Sequence, residues 1–204
     1  MAGFLLYGGS FNPIHHGHLI VARSVAEQRA FSRVVLIPSR RPPHKRDDEL
    51  APAEARLALC HVAVEGDSLF EVSDWEMQQS GPNYTLTTVR HFRALYPPPA
   101  RLAWLIGMDS LAELATWHRV AELLAECEML TAQRPASALP SLDPLRPLVS
   151  PAALERLQAN ILETPRIDVG ATQIRARVAA GRSIRYLVPE RVREEIERRG
   201  LYRA

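Results

Sequence analysis

Residues 3–28 read GFLLYGGSFNPIHHGHLIVARSVAEQ, and this stretch predicts how the fold begins. The apolar run from Gly3 to Tyr7 stops at Gly8 and Gly9, as a buried strand would. From Gly17 onward, apolar residues recur at helical spacing. A glycine pair between a first strand and a first helix lies at the carboxyl edge of a parallel sheet, where open α/β sheets bind their ligands.

The rest of the chain repeats this alternation of apolar strands and helices. We predict further strands at 33–38, 101–107 and 127–132, and one that begins near residue 69; the helices are predicted at 53–66, 84–96, 120–126 and, as a pair, within 171–200. The pattern predicts an α/β fold with a Rossmann-like, doubly wound parallel sheet, helices on both faces and a C-terminal helical tail. We expect one domain over 1–204, with the segment from about 171 to 204 packed on it, and an irregular proline-rich surface excursion at 134–151.

Composition limits the class of protein. The chain has 204 residues, 47% of them hydrophobic and 24% charged, with a formal net charge of +2. This is typical of a soluble domain, and the charge is too balanced to indicate a nucleic-acid partner. With no basic leader and no apolar run that could span a bilayer, we expect a cytoplasmic protein without membrane contacts. Cys60 and Cys127 lie in apolar segments and are predicted to be buried thiols.

The histidines after the glycine pair suggest a site for an anion. His15 and His18 lie three residues apart at the start of the first helix, where imidazole N–H groups and free backbone N–H groups can bind phosphate. The stretch is neither a GxGxxG motif nor a P-loop. Two alternatives stay open at this point: a zinc site shared by the two histidines, although no third ligand lies nearby in sequence, and a helix start without a role.

Five segments together resemble one family. GGSFNPIHHGH (8–18) resembles the GG(T/S)F(D/N)PxHxGH signature of the nucleotidylyltransferase superfamily, and specifically that of bacterial nicotinate-nucleotide adenylyltransferases. Four more segments are similar to later motifs of that family, in the same order: IPSRRPPHK (37–45), NYTLTTVRHF (83–92), LIGMDSLAELATWHR (105–119) and ATQIRARVAAGRSIRYLVPERV (171–192). The resemblance therefore covers nearly the whole chain.

The resemblance implies a reaction of NAD biosynthesis. ATP and nicotinate mononucleotide would give deamido-NAD and pyrophosphate, with Mg2+ supplied together with ATP and no metal ligand from the protein. A phosphate is already an anionic nucleophile, so the chemistry requires positioning and charge neutralisation rather than a general base. The residues that would bind ATP are Gly8, Gly9, Ser10, His15, His18, Thr172 and Arg175, and we assign the catalytic role to His15, His18 and Arg175.

The same resemblance implies an acceptor site. His44 and Lys45 would hold the acidic nucleotide or close over it, Tyr84 and Thr85 would present backbone amides to its carboxylate, Asp109 would contact a ribose, and Trp117 would stack on the pyridine ring. Each assignment has a structural alternative. Thr85, Asp109 and Thr172 could simply cap helices, and tryptophan is more often a core residue, which is our prediction for Trp75 and Trp104.

The last motif departs from the family pattern just before its helix. The family usually has ISST or ISAT before the penultimate helix, whereas this chain has VGAT, so Gly170 and Ala171 replace hydroxyl-bearing residues.

Three other functions are alternatives to the one that the resemblance implies. The protein could be an adenylyltransferase for nicotinamide mononucleotide, a relative that makes dephospho-coenzyme A or a CDP-alcohol, or a non-catalytic nucleotide-binding regulator. The sequence leaves the oligomeric state open and is compatible with a homo-oligomer.

Overall fold

The computed structural model of the chain describes residues 3–42, 50–133 and 139–203. These residues form six strands: β1 (Gly3–Gly9), β2 (Arg33–Pro38), β3 (Phe70–Val72), β4 (Arg101–Gly107), β5 (Glu128–Gln133) and β6 (Ile161–Glu163). They also form eight α-helices: α1 (His16–Gln28), α2 (Ala53–Val64), α3 (Thr85–Leu95), α4 (Met108–Glu113), α5 (Val120–Glu126), α6 (Pro151–Ala159), α7 (Ala171–Ala179) and α8 (Glu190–Arg199).

The strands form one sheet in the order β3-β2-β1-β4-β5-β6. β4 runs parallel to β1 and to β5, and β5 runs parallel to β6. β2 and β3 therefore follow β1 on one side of the sheet, and β4, β5 and β6 follow it on the other side. This reversal of strand order is the point at which doubly wound sheets bind ligands. The predicted Rossmann-like α/β class is confirmed.

The chain forms two compact units. The first comprises Met1–Gly8, Val21–Val34 and Tyr84–Arg166, and the second comprises Gly9–Ile20, Val35–Asn83 and Ile167–Ala204. The prediction of a single domain over 1–204 stays a prediction.

The first unit is built on β4 and β5. Both strands bury their central residues, and Leu105 pairs with Leu130 in the parallel register. Both side chains are fully buried, because helices cover strands that have no solvent face. α3 packs on α5, and α6 packs on β5. This core therefore supports the ends of β4 and β5, where the segments after the strands begin.

The second unit contains the C-terminal helices. α8 packs against α2, burying Val192 and Ile196, and Arg191 forms an ion pair with Glu65. The predicted pair of tail helices is therefore present as α7 and α8, and α8 lies on α2 as part of this unit. No helix in the described part of the chain is long and apolar enough to cross a membrane.

The glycine at position 8 makes room for a tryptophan. Trp104 on β4 is only 4% exposed, which confirms its predicted place in the core, and its ring lies directly against the Cα of Gly8. A Cβ at position 8 would lie 2.7 Å from Trp104 Cη2 and would also overlap Cζ2. Atoms of a buried aromatic ring cannot move aside easily in a close-packed interior. Gly8 is therefore required by packing, whatever its backbone does for a ligand.

We expect Gly8→Ala to destabilise the protein by about 1–3 kcal/mol, because the ring must leave its rotamer to admit one methyl group. Thermal unfolding measures this, as a lower Tm. Gly107→Ala is the matched control at the end of β4, since a Cβ there would meet no atom within 4 Å. Equal melting temperatures for wild type and Gly8→Ala would contradict the packing argument.

Three elements and one tryptophan differ from the sequence predictions. The sequence did not predict α4, α6 or β6. Trp75 was predicted to lie in the core, but it is only half-buried, because it starts a short 3-10 turn at the surface. The proline-rich excursion is irregular over 139–150 apart from one 3-10 turn, and it ends where Pro151 begins α6. Residues 134–138 lie outside the described residues.

Candidate functional site

The loop between β1 and α1 turns on a strained residue. Phe11 has a φ of 42°, in the left-handed region that side chains disfavour, yet its ring is buried. Asn12 is also buried, and its Oδ1 accepts a hydrogen bond from the N–H of Ala51 at 3.1 Å. Backbone strain of this kind persists only where surrounding contacts hold it, and it is common at functional sites.

The two signature histidines are stacked, and one hydrogen bond orients the outer one. The rings of His15 and His18 lie 3.7 Å apart between centroids, with an interplanar angle of 25°. The backbone N–H of His15 donates to Nδ1 of His18 at 3.2 Å. An Nδ1 that accepts has no proton, so the ring proton of His18 lies on Nε2. Nε2–H is therefore the donor that His18 can offer to an anion.

Gly17, the third glycine of the signature, allows the two histidine rings to stack. A Cβ at Gly17 would lie 3.0 Å from both Cε1 and Nδ1 of His15, and 3.4 Å from the carbonyl oxygen of Val169. His15 is only 6% exposed, so its ring has little space into which it could move. Gly17 thus sets the position of His15, which in turn supports the ring of His18.

The arginine of the last motif reaches the same loop. Arg175 on α7 donates from Nη1 to the carbonyl oxygen of Asn12 at 2.9 Å and from Nη2 to Oγ1 of Thr172 at 3.3 Å. A guanidinium has five N–H groups, and no other acceptor for Arg175 lies among the described residues. Three N–H groups remain for a ligand. We call Asn12, His15, His18, Thr172 and Arg175 the phosphate cluster.

The start of α7 lacks the hydroxyl-bearing residues of the family pattern, and packing does not account for their absence. Gly170 is its N-cap and no side chain caps the helix, so Thr172 does not have the capping role that was its structural alternative. A Cβ at Gly170 would meet no atom within 4 Å, and its φ of −127° suits any residue. Nothing in the structure explains why the usual hydroxyls are absent here.

A second set of predicted residues lies in the first unit. Tyr84 is 36% exposed, and its ring stacks on His118 with centroids 4.3 Å apart and an interplanar angle of 24°. Trp117, the neighbour of His118, is only half-buried, in contrast to the core residue Trp104. We call Tyr84, Trp117 and His118 the aromatic cluster. It places partly exposed ring faces beside the start of α3.

The capping alternatives for the acceptor residues are excluded. Tyr84 is the N-cap of α3 and Gly107 that of α4, and neither helix has a side-chain capping bond. Thr85 and Asp109 therefore do not cap their helices. The carboxylate of Asp109 is exposed and makes no hydrogen bond or ion pair with the described residues. It remains available to a ligand hydroxyl.

Two predicted acceptor residues, His44 and Lys45, lie outside the described residues. The segment just before them is held by an asparagine that the sequence analysis did not select. Oδ1 of Asn83 accepts from the N–H of Arg41 at 2.9 Å and from Oγ of Ser39 at 3.1 Å. Its Nδ2 donates to the carbonyl oxygen of Glu76 at 3.2 Å.

Metal-binding chemistry has little support in the described part of the chain. No group of three or more histidines, cysteines, aspartates or glutamates lies close enough to hold a metal ion there. Cys60 and Cys127 are buried, as predicted. Burial raises the pKa of both thiols, that of Cys127 to about 12, so neither offers a thiolate at neutral pH.

Four residues that shape the site were not predicted from the sequence: Asn12 as an anchor, Arg56, Asn83 and His118. For Arg56 a signal existed. It lies three and four residues before Leu59 and Cys60, so it shares the apolar face of its helix. A charged residue on such a face must find partners in the interior. The other three lie within the quoted family motifs, but their partners are distant backbone groups or rings, so the sequence did not reveal the contacts that they make.

Comparisons with known proteins show the family to which the chain belongs. A family model described as cytidylyltransferase-like matches residues 6–177. A protein of Moorella thermoacetica described as a probable nicotinate-nucleotide adenylyltransferase is 39% identical over 198 residues, which are 97% of this chain and 90% of that protein. A protein of Pseudomonas fluorescens with the same description is 41% identical over 208 residues, covering 98% and 96% of the two chains.

Solved structures support the fold. The Plasmodium falciparum nicotinic acid mononucleotide adenylyltransferase complexed with NaAD matches with a TM-score of 0.77 at 15% identity, covering 99% of this chain and 98% of that chain. A complex of the same protein with APC matches with a TM-score of 0.75 at 14% identity, with the same coverage of 99% and 98%. At such low identity, these matches show the fold alone.

Proposed function

The chain belongs to the cytidylyltransferase-like family and groups with its nicotinate-nucleotide adenylyltransferases, and from this membership we propose that it transfers the adenylyl group of ATP to nicotinate mononucleotide. The products are deamido-NAD and pyrophosphate. The protein is thus a nucleotidyltransferase of NAD biosynthesis, and the family resemblance drawn from the five sequence motifs is confirmed.

The observation that carries the proposal is the phosphate cluster. His18 offers Nε2–H and Arg175 offers three N–H groups, and both are anchored to the loop that follows β1. Imidazole and guanidinium donors match phosphate oxygens in charge and geometry. An arrangement of this kind suits a reaction in which two polyanions must be brought together.

In the proposed reaction the phosphate oxygen of nicotinate mononucleotide attacks the α-phosphorus of ATP in line. A bond forms between these two atoms, and the bond from the α-phosphorus to the oxygen that bridges it to the β-phosphorus breaks, releasing pyrophosphate. Negative charge moves onto the departing oxygens, so donors that are already oriented lower the barrier most. We assign His18 and Arg175 to these oxygens, with His15 supporting the His18 ring.

Magnesium enters this proposal with ATP. The phosphate cluster consists of imidazole, guanidinium, hydroxyl and amide groups rather than the carboxylates that hold Mg2+ in protein sites. We therefore treat the ion as part of the substrate, bound to the phosphate oxygens, where it neutralises charge. The protein residues then bind and orient the loaded nucleotide.

The aromatic cluster supports the acceptor assignment. A pyridine ring is planar and can stack on an aromatic ring that is partly exposed; Trp117 is half-buried, whereas Trp104 is in the core. The N–H groups of Thr87 and Thr88 bond to the carbonyl oxygen of Tyr84, which leaves those of Thr85 and Leu86 at the open end of α3. Such donors suit the carboxylate of nicotinate and would leave the NH2 of nicotinamide facing other donors.

The test is to measure kcat/KM for nicotinate mononucleotide and for nicotinamide mononucleotide at saturating Mg-ATP, following pyrophosphate release. We expect a preference for the acid of roughly tenfold to a hundredfold per mismatched contact, since an unpaired buried group costs about 1–3 kcal/mol. Trp117→Ala should weaken both acceptors and leave their ratio little changed, because stacking does not distinguish them.

Trp75→Ala serves as the matched control, because Trp75 is half-buried but is not part of the aromatic cluster. If kcat/KM for the two mononucleotides is nearly equal, or is higher for nicotinamide mononucleotide, the proposed acceptor is wrong and the proposed adenylyl transfer still stands. Pyrophosphate release with 4′-phosphopantetheine or a phosphorylated alcohol would indicate another member of the superfamily. Nucleotide binding without release of pyrophosphate would indicate the regulatory alternative.

A further inference from the structure

Arg56 on α2 is a buried arginine that binds backbone from three segments. It is 1% exposed. Its Nε donates to the carbonyl oxygen of Ala51 at 3.0 Å, and Nη1 donates to those of Ser10 and Ser39, both at 2.7 Å. Nη2 donates to the carbonyl oxygen of Arg40 at 3.3 Å. One side chain therefore joins the loop after β1, the segment after β2 and the segment that leads into α2.

The first route from Arg56 leads to His18. The bond to the carbonyl oxygen of Ser10 fixes the peptide plane directly before Phe11, the residue with a φ of 42°. The ring of Phe11 packs edge-to-face on His18, with centroids 5.2 Å apart at 78°. A rotation of that peptide would change the backbone of Phe11 and with it the ring against which His18 rests. Arg56 thus holds the strained turn that orients His18.

The second route leads to Arg175. Ala51 accepts from Arg56 through its carbonyl oxygen and donates through its N–H to Oδ1 of Asn12. The carbonyl oxygen of Asn12 in turn accepts from Nη1 of Arg175. Both routes consist of short contacts between buried or half-buried groups, and both end at a donor of the phosphate cluster.

We propose that Arg56 is a positioning residue for adenylyl transfer, which sets the donors of His18 and Arg175 without touching either nucleotide. This inference rests on the function proposed above. Its planar guanidinium presents donors in fixed directions, which the single ammonium group of lysine cannot reproduce. When a substitution elsewhere in the protein displaces a hydrogen-bond donor of the site by about 1 Å, the rate can fall roughly a hundredfold.

The experiment compares Arg56→Met and Arg56→Lys with Leu59→Ala, a cavity-forming control on the same helix whose side chain is fully buried and makes none of these hydrogen bonds. All variants are assayed below their melting temperatures. We expect both Arg56 variants to lose roughly a hundredfold in kcat/KM for ATP, mainly in kcat. Leu59→Ala should melt earlier but keep kcat/KM close to the wild-type value. If Arg56→Met does not fold, Arg56→Lys carries the comparison.

A double-mutant cycle separates positioning from a general loss of structure. If Arg56 acts through His18 and Arg175, combining Arg56→Lys with His18→Ala or with Arg175→Ala should cost less than the product of the single losses. Losses that multiply fully in both cycles, or wild-type kcat/KM in both Arg56 variants, would overturn the inference. A wild-type protein that releases no pyrophosphate would instead count against the proposed function.

Discussion

Replacing His18 with alanine is expected to lower kcat far more than it weakens binding of nicotinate mononucleotide. The Nε2–H of His18 is fixed as a donor because Nδ1 already accepts from the backbone of His15. Its bond would strengthen as charge develops on the departing pyrophosphate, so its loss is felt in the transition state. Removal of one such donor costs about 2.7–4 kcal/mol, a factor of about 10²–10³ in kcat.

Steady-state kinetics at saturating Mg-ATP measures this effect, and His16→Ala is its matched control. His16 is the neighbouring histidine, and its backbone N–H bonds to the carbonyl oxygen of Leu187 independently of its side chain. His15→Ala should also be slow, because it removes the ring on which His18 stacks. Turnover near the wild-type value in both His15→Ala and His18→Ala would remove the histidines from the mechanism.

Removing the guanidinium of Arg175 should have an effect of similar size on the use of ATP. With two of its N–H groups holding Asn12 and Thr172, the other three are the ones available to phosphate oxygens. Loss of two charged hydrogen bonds costs about 3 kcal/mol at least, or roughly a hundredfold in kcat/KM for ATP in Arg175→Ala. Arg175→Lys keeps the charge but not the fork, and should recover only part of this loss.

Arg177→Lys on the same helix is the control for Arg175. Its Nε donates to the carbonyl oxygen of Ser183, so the substitution perturbs α7 without touching the phosphate cluster. The kcat/KM for ATP of each variant is measured at saturating acceptor. An unchanged value in Arg175→Ala would reduce Arg175 to a structural link between α7 and Asn12.

The sheet could be predicted from the sequence because parallel strands covered on both faces are rich in apolar residues along their length. This holds for β1, β2, β4 and β5. β6 has only three residues and α4 only six, too few for a period to emerge. α6 begins with Ser150 as its N-cap and Pro151 as its first residue, which is a helix-start signal, but this signal lies at the end of a proline-rich stretch that was interpreted as irregular.

The residue types of the candidate site could be predicted from motifs, but their organisation could not. The structure brings His15, His18 and Arg175 to one loop, and their roles toward substrate stay predictions. Which nitrogen of His18 donates depends on a backbone hydrogen bond within the turn. The importance of Arg56 depends on four carbonyl oxygens from three segments, and sequence order does not reveal that such groups meet.

The contact between Gly8 and Trp104 also limits how related sequences can diverge. Because the indole ring occupies the space of a side chain at position 8, the two positions cannot change independently. Replacing Trp104 with a smaller residue should therefore remove much of the steric cost of alanine at position 8. The effect of a substitution at the first glycine of the signature thus depends on which residue occupies a position far away on β4.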